Sequence, residues 1–319
     1  MKSMLECAPS VSVKSYDYET MFCADVSQDM EMVQLDKGKL KIKEKKIKLN
    51  EHISIHQICS NKKILVKQDI CKKIIRFNFP NNKKLVSGIN LDASCMSIYK
   101  PNVDYSAILS KDNKTLEIEM EYRYFASTNG AIASEVMKDN KNLFIAKLRP
   151  NVQFQVNLLS NYLDEIEINP QAIEYKLVQE ISLNIIEKIL SENIPKHYGY
   201  SITGHNSNWK KFNNIIKDIE IYGNCINIDD IIREHNIHSR SLYNLFKTYI
   251  DISPSQYFLA YRLCSAQASL IRERCFDDPV TRAAVDAEFF HLGRFSQYYK
   301  SQFGCLPSET VKRACEQLS

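Results

Sequence analysis

Two segments near the carboxyl end of the sequence place side chains with planar hydrogen-bonding groups on the polar face of a predicted helix. They are residues 242–256, LYNLFKTYIDISPSQ, and residues 295–309, FSQYYKSQFGCLPSE, where apolar residues recur three and four positions apart. Each predicted helix begins one or two residues before its segment. The outward residues are Arg240, Tyr243, Asn244 and Lys247 in the first helix, and Arg294, Ser296, Gln297 and Lys300 in the second. Arg, Asn and Gln match purine edges in the major groove, whereas Lys and Ser suit phosphates. The pattern therefore predicts contacts with double-stranded DNA.

The two segments are copies of one pattern. The aligned pairs include Leu242 with Phe295, Leu245 with Tyr298, Phe246 with Tyr299, Lys247 with Lys300, Pro254 with Pro307 and Ser255 with Ser308. A shorter predicted helix and a tight turn precede each copy, and the second turn is one residue longer than the first. A helix, a tight turn and a second helix, repeated in tandem, predict two helix-turn-helix units.

One continuous helix is predicted between the copies, over residues 253–272. Such a helix is about 27 Å long. With the half-widths of the flanking elements, it allows the two recognition helices to lie about 34 Å apart, which is one turn of B-DNA. We therefore expect one chain to reach two successive major grooves on one face of the duplex.

The amino-terminal part has a different pattern of apolar and polar residues. Between residues 30 and 120, short runs rich in Ile, Val and aromatic residues alternate with polar residues, and turn clusters such as SNKK and SKDNK separate the runs. This pattern predicts an antiparallel sandwich or barrel. The lysines of KGKLKIKEKKIKLN are expected on the solvent face of an edge strand. The fold class is thus α+β, with an antiparallel β domain and flanking helices before an all-α domain.

A long amphipathic helix closes the amino-terminal domain at about residues 170–193. Its apolar stripe is typical either of a dimer interface or of a helix that covers the open face of the sheet, and the sequence favours neither. Pro195, Gly199 and Gly204 then interrupt any helix. The predicted organisation is an amino-terminal sensor or dimerisation domain over 1–193, a linker over 194–207 and a DNA-binding domain over 208–319.

Composition limits the other possibilities. The net charge is +4, and no run approaches the length of a membrane-spanning segment. The ten cysteines are scattered, without metal-ligand or disulfide spacing, which fits a cytoplasmic protein. His52 and His56 lack the spacing of a metal site, so we predict no metal, no cofactor and no catalytic residue, and no membrane partner.

The carboxyl-terminal third resembles the DNA-binding domain of AraC/XylS-family transcription regulators. The matching stretches are DDIIREHNIHSRSLYNLFK, ISPSQYFLAYRL and VTRAAVDAEFFHLGRFSQYYKSQFGCLPSE. In the second unit, the residues that fit the family pattern are Phe289, Phe303, Gly304, Pro307 and Ser308. Asn236 and Glu288 stand where the family pattern has turn glycines, and Ile232 stands where it has a small residue.

The resemblance implies a bacterial activator that binds DNA, contacts RNA polymerase and forms a homodimer. It also implies that the amino-terminal strands form a cupin-like domain, which is controlled by a small-molecule effector or by dimerisation. Two alternatives remain at this point. One is a cupin-type metalloenzyme with a helical tail, and the other is a regulator whose amino-terminal domain binds only protein partners.

Overall fold

The amino-terminal half forms two antiparallel sheets, as its alternating sequence predicts. The computed structural model describes residues 10–17, 30–69, 73–101, 104–128, 143–166, 174–189, 191, 199–201 and 207–316. The strands are β1 (Ser10–Asp17), β2 (Met30–Gln34), β3 (Lys41–Lys48), β4 (Ile53–Ser60), β5 (Ile64–Asp69), β6 (Ile74–Pro80), β7 (Lys84–Val86), β8 (Ile89–Leu91), β9 (Cys95–Tyr99), β10 (Asp104–Leu109), β11 (Asn113–Glu121), β12 (Leu143–Lys147) and β13 (Gly199–Ser201). The larger sheet has the order β1-β3-β4-β11-β6-β9-β12-β13, and the smaller has the order β2-β5-β10-β7-β8.

The lysine-rich strand β3 is not an edge strand, contrary to expectation. It pairs with β1 on one side and with β4 on the other. Lys45 is buried, and its Nζ donates to the main-chain oxygen of Leu163 at 2.9 Å. The edge is occupied by β1, which lies before the alternating stretch of residues 30–120 from which the strands were predicted, so the expectation for β3 was wrong.

Helices cover the outer face of the larger sheet. They are α1 (Tyr122–Thr128), α2 (Pro150–Ile166) and α3 (Tyr175–Lys188). The apolar stripe of α3, represented by Val178, Ile185 and Ile186, is buried against α2 and the sheet. Of the two roles considered for this stripe, the structure therefore supports the covering helix. The described helix is shorter than predicted, and residues 167–173, 190 and 192–198 lie outside the described residues.

Part of the predicted linker is a strand. Gly199–Ser201 forms β13, which pairs with β12 at the edge of the larger sheet. The remaining residues of the segment before α4, 194–198 and 202–206, lie outside the described residues. The boundary between the domains thus stays a prediction, although this segment contributes at least one strand to the first domain.

The carboxyl-terminal part is entirely helical over residues 207–316. Its elements are α4 (Ser207–Tyr222), a 3₁₀ turn (Gly223–Cys225), α5 (Ile228–Glu234), α6 (Ser239–Tyr249), α7 (Pro254–Arg272), α8 (Pro279–Asp286), α9 (Leu292–Phe303) and α10 (Pro307–Glu316). Ser253 caps α7 through a reciprocal bond pair with Gln256, and Pro254 occupies the first turn, where its missing N–H costs nothing. Among the described helices, none is long and apolar enough to span a membrane.

The smaller sheet packs on both of its faces. Its inner face, with Met32, Val66 and Ala107, lines the space between the sheets. Its outer face, with Val33 and Leu65, belongs to the same apolar cluster as the core of the helical domain.

A close approach between the domains depends on a glycine. Gly88 has φ +83°, and a Cβ there would lie 2.5 Å from Cγ of Trp209 on α4. Lys67 and Glu220 add an ion pair at 2.5 Å with both side chains mostly buried. These contacts fix α4, and with it the first helical unit, on the smaller sheet.

Candidate nucleic-acid interface

The first helix-turn-helix unit consists of α5 and the recognition helix α6. Asn227 begins α5 by accepting hydrogen bonds from the main-chain N–H groups of Asp229 and Asp230. The turn then reverses through Asn236, whose φ of 44° lies in the left-handed region. Ile237 N–H donates to the carbonyl oxygen of Ile232 at 3.1 Å, which closes the end of α5 before α6 begins.

The second unit, α8 and α9, repeats this turn. Glu288 has φ 58°, and its N–H donates to Val285 O at 2.8 Å. Phe289 N–H donates to Ala284 O at 2.8 Å, which is the bond that Ile237 makes in the first unit. Both positions that lack the family glycine therefore adopt the conformation that glycine favours. The extra residue of the longer turn is Phe290, which is 81% exposed.

Arg262 on α7 holds the second turn in place, a role that the sequence argument missed. Its Nε donates to Ala287 O at 2.8 Å, and its Nη2 donates to the main-chain oxygen of Glu288. Its guanidinium also stacks on the Phe289 ring, 4.6 Å from the centroid. A signal existed, because Arg262 is the one charged residue in the sequence between Pro254 and Leu270.

The recognition helices bury the residues that periodicity placed inward. Those of α6 are Leu242, Leu245, Phe246 and Tyr249, and those of α9 are Phe295, Tyr299 and Phe303. Gln302 is buried beside them, which the sequence argument did not anticipate, although it lies seven positions after Phe295 and so on the same face. Because glutamine is polar, its type did not suggest a buried position.

Seven of the eight predicted contact residues are exposed, and Ser296 is half-buried. In the first helix, Lys247 Nζ donates to Asp251 O at 3.2 Å and lies 6.0 Å from the centroid of the Tyr243 ring. Arg240 and Asn244 are exposed on the same helix, as are Arg294, Gln297 and Lys300 on α9. Each unit thus presents two or more planar or cationic donors to solvent on a helix whose other face is anchored.

A buried polar network lies between the two sheets, on the inner face of the larger one. His56 Nδ1 lies 3.0 Å from Glu44 Oε1, and its Nε2 lies 3.1 Å from Glu119 Oε2. Burial alone would lower the pKa of His56, but the hydrogen bonds to Glu119 and Glu44 outweigh it and raise the pKa to about 9. Arg76 donates to Glu119 at 2.6 Å from Nη2, so this carboxylate is paired on both sides.

The network continues toward the smaller sheet. Asn78 Nδ2 donates to Glu117 at 2.5 Å, and Lys84 Nζ donates to Asn78 Oδ1 at 3.1 Å. Burial lowers the pKa of Lys84 to about 8 against the attraction of Glu117. Among the residues described, no group of three or more His, Cys, Asp and Glu side chains is arranged to hold a metal ion. The interior could therefore offer a polar ligand charged and amide partners, but it offers no metal site of that kind.

Residues 231–313 match the family model described as a helix-turn-helix domain, which spans both units. A XylDLEGF operon transcriptional activator of Pseudomonas putida is 30% identical over 169 residues, covering 50% of this chain and 46% of the relative. A second activator of that operon from the same species is 28% identical over 181 residues, covering 51% and 50%. Residues 231–313 thus form a helix-turn-helix domain that is similar to those of AraC/XylS-type activators, as the sequence motifs predict.

This similarity favours a transcription regulator over the cupin-type metalloenzyme considered as an alternative. The chain spans about half the length of the curated relatives that it matches. Among solved structures, the AraC-like transcriptional activator CuxR matches with 15% identity over 74% of this chain and 89% of that one, with a TM-score of 0.40.

Proposed function

We propose that this protein is a sequence-specific transcription activator that reads two successive major grooves through α6 and α9. Arg240, Asn244, Arg294 and Gln297 would contact base edges, while Lys247 and Lys300 would contact phosphates. Tyr243 and Ser296 would supply further base or backbone contacts. The single observation that carries the proposal is the duplicated turn, because equivalent hydrogen bonds close it in both units and exposed donors follow it in both recognition helices.

Arg240→Ala tests the reading role. On an operator selected from random duplexes, the substitution should cost about 1 to 3 kcal/mol of binding free energy and relax the preference at one base pair. Binding to random DNA should change much less. Fluorescence anisotropy titrations on both duplexes measure the difference, and an equal loss on the two would disprove base reading by Arg240.

Arg233→Ala is the matched control, because it removes an arginine of the same unit that lies outside the recognition helix. Its side chain is 75% exposed and pairs with Asp230 on α5. We expect this variant to keep the base preference of the wild type and to lose at most a nonspecific phosphate contribution.

The amino-terminal domain is proposed to bind a small-molecule effector in the polar interior between its sheets, or else to act only through protein partners. A thermal-shift screen against polar metabolites distinguishes the two, because a ligand that binds only the folded state raises the melting temperature. We also propose that the regulator acts in the cytoplasm, contacts RNA polymerase and forms a homodimer. Because the stripe of α3 is already buried, a dimer would use a different surface.

A further inference from the structure

The recognition helix of the second unit ends against the amino-terminal domain. α9 ends at Phe303, and Gly304 follows in the left-handed conformation with φ 75°. The carbonyl oxygen of Gln302 lies in the last turn, where α-helices leave such groups without an intrahelical partner. It accepts hydrogen bonds from the Gly38 N–H at 2.8 Å and from Gln34 Nε2 at 3.0 Å.

The two glutamines bind each other reciprocally. Gln302 Nε2 donates to the main-chain oxygen of Gln34 at 2.9 Å, so each side-chain amide reaches the main chain of the other residue. Both side chains are buried, with 0% of Gln34 and 5% of Gln302 exposed. The backbones also meet closely, since a Cβ at Gly304 would lie 3.4 Å from Lys39 N. The two Nε2 groups have matched acceptors, whereas Gln34 Oε1 is buried without a partner. Because shifting either residue would leave the Nε2 donors without hydrogen bonds as well, the contact favours one arrangement.

The first unit is attached to the same sheet by different residues. Trp209 packs over Gly88, and Glu220 pairs with Lys67 on β5, the strand next to β2. Gln34 ends β2. The smaller sheet therefore holds both units, the first through α4 and the second through the end of α9, while the proposed contact residues on α6 and α9 stay exposed, apart from the half-buried Ser296.

We propose that Gln34 and Gln302 are positioning residues that fix α9 relative to α6, so that the two units engage DNA as one rigid pair. They act through α9 and do not touch DNA. The proposal rests on the proposed function, because it specifies how the amino-terminal domain controls the second unit. Without this contact, α9 is oriented only by its packing against α7, α8 and α10. The fraction of complexes in which α9 occupies the second major groove then falls.

Gln34→Met and Gln302→Met in the full chain test this, with hydroxyl-radical footprinting on an operator selected by the wild type. Loss of a buried hydrogen-bonding group predicts that protection of the half-site read by α9 falls about three- to tenfold relative to the half-site read by α6. A single extra base pair between the half-sites should also be penalised less in the variants than in the wild type.

Gln57→Met is the matched control. Gln57 is equally buried and donates from Nε2 to the main-chain oxygen of Ser160 at 3.0 Å, but it joins β4 to α2, inside the amino-terminal domain. It should lower stability without changing the ratio of the two half-sites. Equal losses at both half-sites in the Gln34 and Gln302 variants, or the same ratio as in the control, would overturn the proposal.

A measurement on the wild type covers the case in which these variants do not fold. If the contact persists while the protein reads DNA, the Gly38 amide stays protected from hydrogen exchange in the operator complex. Faster exchange of this amide on operator binding would overturn the proposal. Failure of the selection to enrich any sequence would instead refute the proposed function, so the two failures are distinguishable.

Discussion

Glu288→Gly should stabilise the protein, although it removes a side chain from a turn at the proposed interface. Glu288 has φ 58°, and the left-handed conformation costs a residue with a Cβ about 1 to 2 kcal/mol. Glycine avoids this strain but loses about 0.5 to 1 kcal/mol through the greater freedom of the unfolded chain. The Glu288 carboxylate lies 4.0 Å from Arg262 and is 46% exposed, so its loss contributes almost nothing. We expect a net gain of about 0.5 to 1 kcal/mol.

Urea unfolding followed by the fluorescence of Trp209, the single tryptophan, measures this gain. Trp209 is a suitable probe because its ring lies 5.5 Å from that of Phe212 and 5.0 Å from that of Tyr249, inside the helical core. Glu288→Ala is the control, since it removes the same carboxylate and keeps the Cβ, so its midpoint should match the wild type. If Glu288→Gly were no more stable than Glu288→Ala, the reasoning from backbone strain would be refuted.

Three further predictions concern the cores and the contact between the domains. Phe295→Ala, at a fully buried position, should cost about 3 to 5 kcal/mol of unfolding free energy and abolish binding at the second half-site; a normal melting temperature would contradict it. The pKa of His56 in the folded protein is about 9, above the ordinary value of 6.5. Its ion pairs therefore stabilise the protein fully below pH 6.5. As the pH rises through 9, about 3 kcal/mol of the free energy of unfolding is lost. Urea midpoints of the wild type and His56→Leu should therefore converge between pH 6.5 and 9.5, and a constant difference would exclude the charged histidine. Gly88→Val should cost about 2 to 4 kcal/mol through strain at φ +83° and collision with Trp209, and unchanged Trp209 fluorescence and stability would contradict that packing.

Periodicity predicted most of the helical domain because each helix there has one buried face. The inward residues of α6 and α9 followed from the spacing of their apolar residues, and the helix predicted over residues 253–272 agrees with α7. The extra residue in the second turn was also visible as a longer gap between two aligned helices. The conformations of Asn236 and Glu288 followed less directly, because the hydrogen bonds of the turn, and not the residue type, impose them.

The sequence was less informative about which surface each element meets. Strand alternation identifies two faces but not their partners, so the smaller sheet could not be recognised as a layer between a polar interior and the helical domain. Gln302 shows the same limit, since a polar residue on a buried face indicates a hydrogen-bond partner without naming it. Its partner, Gln34, lies in the other domain, and only the folded chain brings the two together.

The placement of these contacts indicates how control of DNA binding would operate. The amino-terminal domain touches the helical domain through Trp209, Glu220 and Gln302, while Arg240 and Arg294 stay exposed. If the amino-terminal domain inhibited DNA binding by covering the recognition helices, the two domains would have to separate before DNA could bind. Here the proposed reading faces stay exposed while the domains are docked, so we expect a signal to act by changing the relative orientation of the two units. The smaller sheet is suited to this, because its inner face lines the interior and its outer face packs against the helices, so a shift of β2 would displace both Gln34 and the end of α9.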